Sequence, residues 1–391
     1  MSPKGIIISA TRWLWVSGLF LGLSWLVAAC QALPATQPNL TAISSATVLP
    51  VSPTAALTRS RTPTLAPTLT LTVTPTASRT PTPTITETPL PLAQFSSPLL
   101  RAGVEPAAYL SDTCDYLSLR WAEGKAEPGT VVVPVMFHSI VQPPSKVTDP
   151  KDITVEEYQA FVYYAKSLGF ETITTQELLD FLLYNEAIPQ RSMILIVDDR
   201  RPGLIFEHFM PVLELNDWTV TPAYIADPDS LDWAWDWMER LNESGRLDVQ
   251  SHGYSGGLYV LPDTPLDQIQ REIWESTAVL EAHFGTRPLA FIWPGGNFTP
   301  LSVGVAREGG YQLGFTAYSR GPLLFNWVPL GEEERLVDDP LMVLPRAWSN
   351  SVNYNLDEAI RVSEQAAAFA EQNAQAEREW MQRYCGNNPI P

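Results

Sequence analysis

The chain has 391 residues, 45% of them hydrophobic, with 43 acids against 25 bases and a formal net charge of −18. That length and apolar share suffice for one large domain or two small ones. A surface this acidic repels nucleic acid and gains little from anionic lipid, so no nucleic-acid partner is expected. The charge is uneven: residues 1–95 hold five bases and a single acid, leaving 42 acids against 20 bases in the remainder.

The first element is a leader. Lys4 and Arg12 precede an apolar run over 13–27 that ends in Ala28-Ala29-Cys30. A basic start, an apolar stretch and small residues before a cleavage point define a secretory signal. A cysteine directly after Val-Ala-Ala resembles the lipobox of bacterial lipoproteins, which implies lipidation at Cys30. Residues 1–30 are therefore expected to be a lipoprotein signal peptide, and the protein to be extracytoplasmic and lipid-anchored to the cell membrane. A plain signal peptide or a single membrane helix is the alternative. Two or three acyl chains suffice for stable anchoring. No later run of 18 apolar residues offers a membrane span.

Residues 31–97 read as a disordered linker. Thr, Pro, Ser and Ala dominate, Thr-Pro-Thr recurs after Arg61 and Arg79, and no aromatic occurs in this segment before Phe95. Nothing there can build a core. Proline density favours an extended stalk of roughly 3 Å per residue.

Residues 98–391 read as a single globular domain. Strands are predicted over 131–137, 171–174, 193–197, 222–226, 247–250, 289–293, 313–317 and 341–344. Helices are predicted over 154–168, 175–184, 204–215, 233–242, 265–284, 300–308 and 357–384. Thr154 followed by Glu157 is a capping box. Strands that alternate with helices call for a parallel sheet. Seven or eight such strands predict a β/α barrel, an α/β fold, with an open doubly wound sheet as the alternative. Cys114 and Cys385 bracket this domain, and outside the cytoplasm they are expected to pair as a disulfide rather than remain two thiols.

In a β/α barrel, working residues gather where strands end. His138, Asp198-Asp199, Ser251-His252, Pro294-Gly295-Gly296, Tyr318 and Arg346 all fall there. The adjacent acids are the sharpest of these. Two neighbouring carboxylates repel and call for a cation or a shared proton. An Asp paired with Arg200 or Arg201 needs no metal, so a salt-bridged pair stands beside the metal reading. Trp233 and Trp237, four apart on one helix, are read as core. Trp293, at a strand end, is read as a sugar-stacking residue.

These motifs resemble the polysaccharide deacetylase (NodB-homology, carbohydrate esterase) family. Val133-Pro-Val-Met-Phe-His-Ser-Ile140, Ile196-Val-Asp-Asp199, Val249-Gln-Ser-His-Gly-Tyr-Ser255, Phe291-Ile-Trp-Pro-Gly-Gly296, Gly309-Gly-Tyr-Gln-Leu-Gly-Phe315 and Leu344-Pro-Arg346 are similar to its successive motifs, in order. The resemblance implies a distorted (β/α) barrel of about seven parallel strands, a divalent metal, often zinc, and hydrolysis of acetyl groups on a cell-wall or extracellular glycan by a metal-bound water. It implies Asp198 as base and Asp199 and His252 as metal ligands; His138, at the end of the first strand, is the candidate third ligand or an acid. Trp293, Pro294, Gly295, Tyr254 and Arg346 become candidate substrate-binding residues. The expected partners are acetylated polysaccharide or peptidoglycan.

Three departures count against catalysis. The position four after His252 is Gly256 where the family has its second histidine, Arg200 replaces the glycine after the acids, and no histidine follows His283. Catalytic zinc normally has three protein ligands. A degenerate barrel that binds glycan without metal is the second reading. His138 as a hydrogen-bonded structural residue, and His252 as a buried partner of the acids, are the plain alternatives to ligation.

Overall fold

The structure is a computed structural model that describes residues 91–227, 231–256 and 258–386. Cys30, the leader and the linker up to residue 90 lie outside them. Seven parallel strands carry the fold: β1 (Val131–Phe137), β2 (Arg191–Asp198), β3 (Thr221–Tyr224), β4 (Gln250–Ser251), β5 (Ala290–Ile292), β6 (Leu313–Phe315) and β7 (Ala347–Trp348). Their spatial order is β6-β5-β4-β3-β2-β1-β7, so the sheet curls in chain order apart from its last member. A two-residue strand, Glu171–Thr172, adds to β2.

The segment 344–348 brings the two edges together. Ala347 and Trp348 register with Val135 and Met136 of β1. Three residues before Ala347, Leu344 donates to the Gly314 carbonyl of β6 at 2.7 Å and accepts from the Thr316 N–H at 2.9 Å. The approach at Gly314 needs a residue without a side chain, because a Cβ there would stand 2.1 Å from the Met342 oxygen. The expected strand over 341–344 is instead a 3-10 turn, Pro340–Met342, and pairing begins only at Leu344. Proline lacks the N–H that a ladder requires.

Side-chain parity explains the layers. Along β1 and β2, Val131, Val133, Val135, Phe137, Met193, Leu195 and Val197 pack in one core cluster, which includes the helix residues Tyr158, Phe161, Leu356 and Val362. The alternate residues Val132, Ile194 and Ile196 pack in a second cluster, with Phe315, Leu323 and Leu344. Period-two alternation puts these two sets on opposite faces of the sheet. The continuous apolar runs of both strands follow from burial on both faces.

The helix predicted over 154–168 is Val155–Ser167, with Thr154 and Glu157 in a reciprocal capping box. The helices at Thr175–Tyr184 and Pro300–Glu308 match their predicted bounds. Thr174 and Glu177 form a second capping box. We expect Thr174→Ala to cost about 1 kcal/mol in urea unfolding, with no change in m-value. The segments read as single helices over 204–215 and 265–284 each contain a π turn, at Ile205–Phe209 and Arg271–Glu275.

A strand pair and a helix outside the barrel were not read from the sequence. The strands Glu105–Ala107 and Val328–Leu330 pair antiparallel. The helix Thr113–Trp121 is capped by the Asp112 side chain. Its Cys114 is bonded to Cys385 at the end of the long helix Val352–Tyr384. Glu377 of that helix accepts from Arg120 Nε at 2.9 Å and from Trp121 Nε1 at 2.8 Å. Domain packing starts slightly before residue 98: Phe95 meets Trp327 and Phe369, and Ser97 donates to Gln365.

Candidate functional site

The same parity builds the site. Asp198 follows Ile194 and Ile196 on the face of β2 away from the first core cluster, and it ends the strand. Phe137 registers with Val197, so His138 lies beside Asp198 just past the end of β1. Trp348 registers with Met136, on the His138 face, and its ring stacks on that of His138 at 6.0 Å and 10°. Arg346, two residues before Trp348, shares that face. Three independent sequence segments thus deliver their polar residues to one end of the barrel.

Asp198 is 2% exposed. One oxygen accepts from Arg346 Nη1 at 2.6 Å, and the other lies 3.6 Å from His138 Nε2. Arg346 is itself 1% exposed, and its Nε donates to the Thr316 carbonyl at 2.7 Å. Burial by itself would push the Asp198 carboxyl up, but Arg346, His252 and His138 together outweigh it and hold it below the ordinary carboxylate range. Burial pushes His138 down, against the pull of Asp198. His138 Nδ1 is buried with no hydrogen-bond partner.

Asp199 leaves the strand with φ 70°, a left-handed conformation that Asp tolerates better than most residues. Its Oδ2 accepts from Arg201 Nη2 at 3.0 Å, and its Oδ1 lies 3.9 Å from His252 Nε2. Arg201 Nη1 donates to Ser139 Oγ at 2.9 Å. Arg200 turns elsewhere, to Asp227 at 3.3 Å. Of the two arginines, it is thus Arg201 that meets the acid pair.

His252 is 6% exposed, and its Nδ1 lies 2.8 Å from the Ile292 carbonyl. A carbonyl can only accept, so Nδ1 carries a proton, and the tautomer with Nε2 free would present its lone pair towards Asp199. That is the tautomer a metal ligand requires. Glu272, 6% exposed, accepts from the Tyr254 and Ser255 N–H groups at 2.8 and 2.9 Å and so ties down the loop that follows His252.

The expected ligand set is not gathered. His138 stands against Asp198 instead of joining Asp199 and His252, and among the described residues no three His, Cys, Asp or Glu side chains group closely enough to hold a metal ion. Position 256 does not supply the missing donor. Gly256 has φ 66°, and a Cβ there would lie 2.9 Å from Ile225 Cγ2. With two donors, and one of those paired to a guanidinium, the residues present do not fit a catalytic zinc centre.

The aromatic expectations also change. Trp293 is fully buried, its ring packs on Phe291, and its Nε1–H donates to the Met342 carbonyl at 2.8 Å, so it is a core residue and no sugar can stack on it. The helix Asp232–Asn242 buries Ala234, Trp235, Met238 and Leu241, one helical stripe. Trp235 therefore takes the fully buried position; of the 233/237 pair, Trp237 is half-buried against the first core cluster and Trp233 is 56% exposed. Pro294 is buried beside exposed Gly295. Tyr259, which the sequence reading passed over, covers Gly295: a Cβ there would lie 2.6 Å from its ring. Tyr254 lies beneath the Arg271 guanidinium at 5.1 Å. Arg201 was already a candidate partner of the acids; Ser139, Trp348, Tyr259 and Glu272 are the additions to the site region, and of these only Ser139, inside a recognised motif, carried any signal in the sequence.

The family model described as polysaccharide deacetylase matches residues 185–314, which hold the acid pair, His252 and strands β2 to β5. No curated protein matches the sequence. Among solved structures, the chain is similar to a Streptococcus pyogenes deacetylase, PplD, in complex with acetate, at 17% identity and TM-score 0.48, covering 60% of this chain and 99% of that one. It is similar to IcaB from Ammonifex degensii at 20% identity and TM-score 0.46, covering 61% and 99%. It is also similar to a CE4 family pseudoenzyme from Bacillus anthracis at 11% identity and TM-score 0.24, covering 59% and 61%.

Proposed function

We propose that this protein binds acetylated cell-wall or extracellular glycan through a deacetylase-type barrel mouth without a resident metal. The polysaccharide deacetylase pattern over 185–314 supports the ligand class. The observation that carries the loss of metal chemistry is at position 256: the third donor is glycine, in a left-handed conformation and hard against Ile225. In this reading Asp198 and Arg346 form a buried polar floor, and exposed Tyr259 and Tyr318 offer apolar ring faces to sugars. An anchored, extracytoplasmic location is part of the same proposal. It is supported by the basic and apolar leader before Cys30 and by the Cys114–Cys385 bridge, a pairing at home in an oxidising compartment.

Two observations favour the second reading, an active metal-dependent hydrolase. Asp198 is held ionised by Arg346, and the Nδ1 contact of His252 leaves Nε2 as the ring nitrogen that could ligate. Equilibrium binding to an oligomer of N-acetylated amino sugars and to peptidoglycan, in chelator, decides between them. Binding that persists in EDTA with no acetate release is the expected result. Acetate released only on zinc addition, and lost in Asp198→Asn, establishes the hydrolase instead.

A further inference from the structure

We infer that Arg201 is a built-in counter-ion that occupies the electrostatic place of a metal, so that the site is held closed to divalent cations by the protein itself. This rests on the metal-free reading above and adds the residue responsible.

Three observations converge on Arg201. Its Nη2 meets Asp199 Oδ2 at 3.0 Å, on a carboxylate whose other oxygen faces His252 Nε2 at 3.9 Å. Its Nη1 is fixed by Ser139 Oγ at 2.9 Å, so the guanidinium is anchored on both terminal nitrogens, by groups from the ends of two different strands. Its Nε is buried without an acceptor. The side chain as a whole is 34% exposed, yet this one donor is turned away from water and left unpaired, an unfavourable arrangement. The side chain is held there for what its terminal nitrogens do.

Charge decides the consequence. Asp199 and His252 are the two donors that remain for a cation. The Asp199 charge is already matched by a guanidinium that cannot lose its proton. A divalent ion at these donors would face that guanidinium at close range as well as lacking a third protein ligand. Loss of the third donor makes binding weak; the arginine makes it unfavourable. The two features are separable, because Gly256 and Arg201 lie on different loops. Arg200 plays no part in this, being engaged with Asp227.

Cobalt and zinc titration of the purified domain tests the assignment. The parent and Arg201→Lys, which keeps the charge, are expected to bind weakly. Arg201→Gln, which keeps hydrogen-bonding capacity and removes the charge, is expected to bind at least about 10-fold more tightly, the scale of outer-shell effects on metal affinity. The gain should bring visible cobalt d–d bands and disappear in Arg201→Gln/His252→Ala. Ser139→Ala, which frees one anchor of the guanidinium, should shift affinity in the same direction and decides the matter if Arg201→Gln does not fold. A stoichiometric tight site in the parent, or equal gains for Lys and Gln, overturns the proposal. Glycan binding is measured separately in chelator. Its absence would remove the glycan reading and leave the metal-exclusion result standing, and the reverse holds as well.

Discussion

Replacing Arg346 with methionine should destabilise the domain by about 3–5 kcal/mol at pH 7, the usual result of removing one partner from a buried ion pair. Asp198 and Arg346 are 2% and 1% exposed and 2.6 Å apart, so the variant would leave a carboxylate with no full positive charge in contact. The pH dependence separates this from simple loss of packing. In the parent the folded Asp198 is held below its unfolded value, so its contribution is complete above about pH 4 and is lost only as pH falls through the lower, folded value. Without Arg346, burial dominates and pushes the carboxyl above its unfolded value. The folded variant then prefers the protonated acid, and its penalty shrinks as pH falls from 7 towards 4. Melting curves should show a gap on the order of 10 °C at pH 7 that narrows on acidification. A gap independent of pH would mean that the arginine acts through volume alone. Arg346→Met/Asp198→Asn should recover much of the loss.

The second large effect concerns the bridge between Cys114 and Cys385, which are separated by 271 residues. Cross-links of this span constrain the unfolded chain most, and the chain-entropy model gives about 5 kcal/mol as an upper value. Cys114→Ser/Cys385→Ser should therefore lower stability by about 2–5 kcal/mol in guanidinium unfolding. Reduction of the parent should reproduce the variant, and the variant itself should be indifferent to reductant. The Glu377 contacts to Arg120 and Trp121 join the same two helices, so part of the docking should survive. A parent whose unfolding midpoint is unchanged by reductant would refute the assigned role.

Much of the barrel could be read in the chain because periodicity is a local property. The buried runs of β1 and β2, the Thr154 capping box and the helix at Thr175–Tyr184 are specified by residues within one or two turns of each other. What escaped depends on distant partners. Glu105–Ala107 is a strand only because Val328–Leu330 lies beside it, and the pairing at Leu344 exists because Gly314 lets the backbone approach. The acid pair announced the site, and parity placed Asp198, His138 and Arg346 together once the register was fixed. Trp293 misled because a strand-end indole reads alike whether it faces the mouth or the core; its Nε1–H to the Met342 carbonyl settles which. Likewise no spacing in the sequence says that Arg201, not Arg200, turns to Asp199.

The segment 344–348 ties completion of the barrel to its position in the order of synthesis. Arg346 lies 148 residues after Asp198, and the same few residues join β6 to β1. On a growing chain that emerges N-terminus first, β2 is available long before its counter-charge. Until residue 348 is free, the sheet keeps two open edges and Asp198 must stay hydrated or protonated. Nascent chains stalled before residue 344 should be protease-sensitive throughout, and resistance should appear only once this segment and the helix Val352–Tyr384, whose Leu356 and Val362 complete the core, are both released.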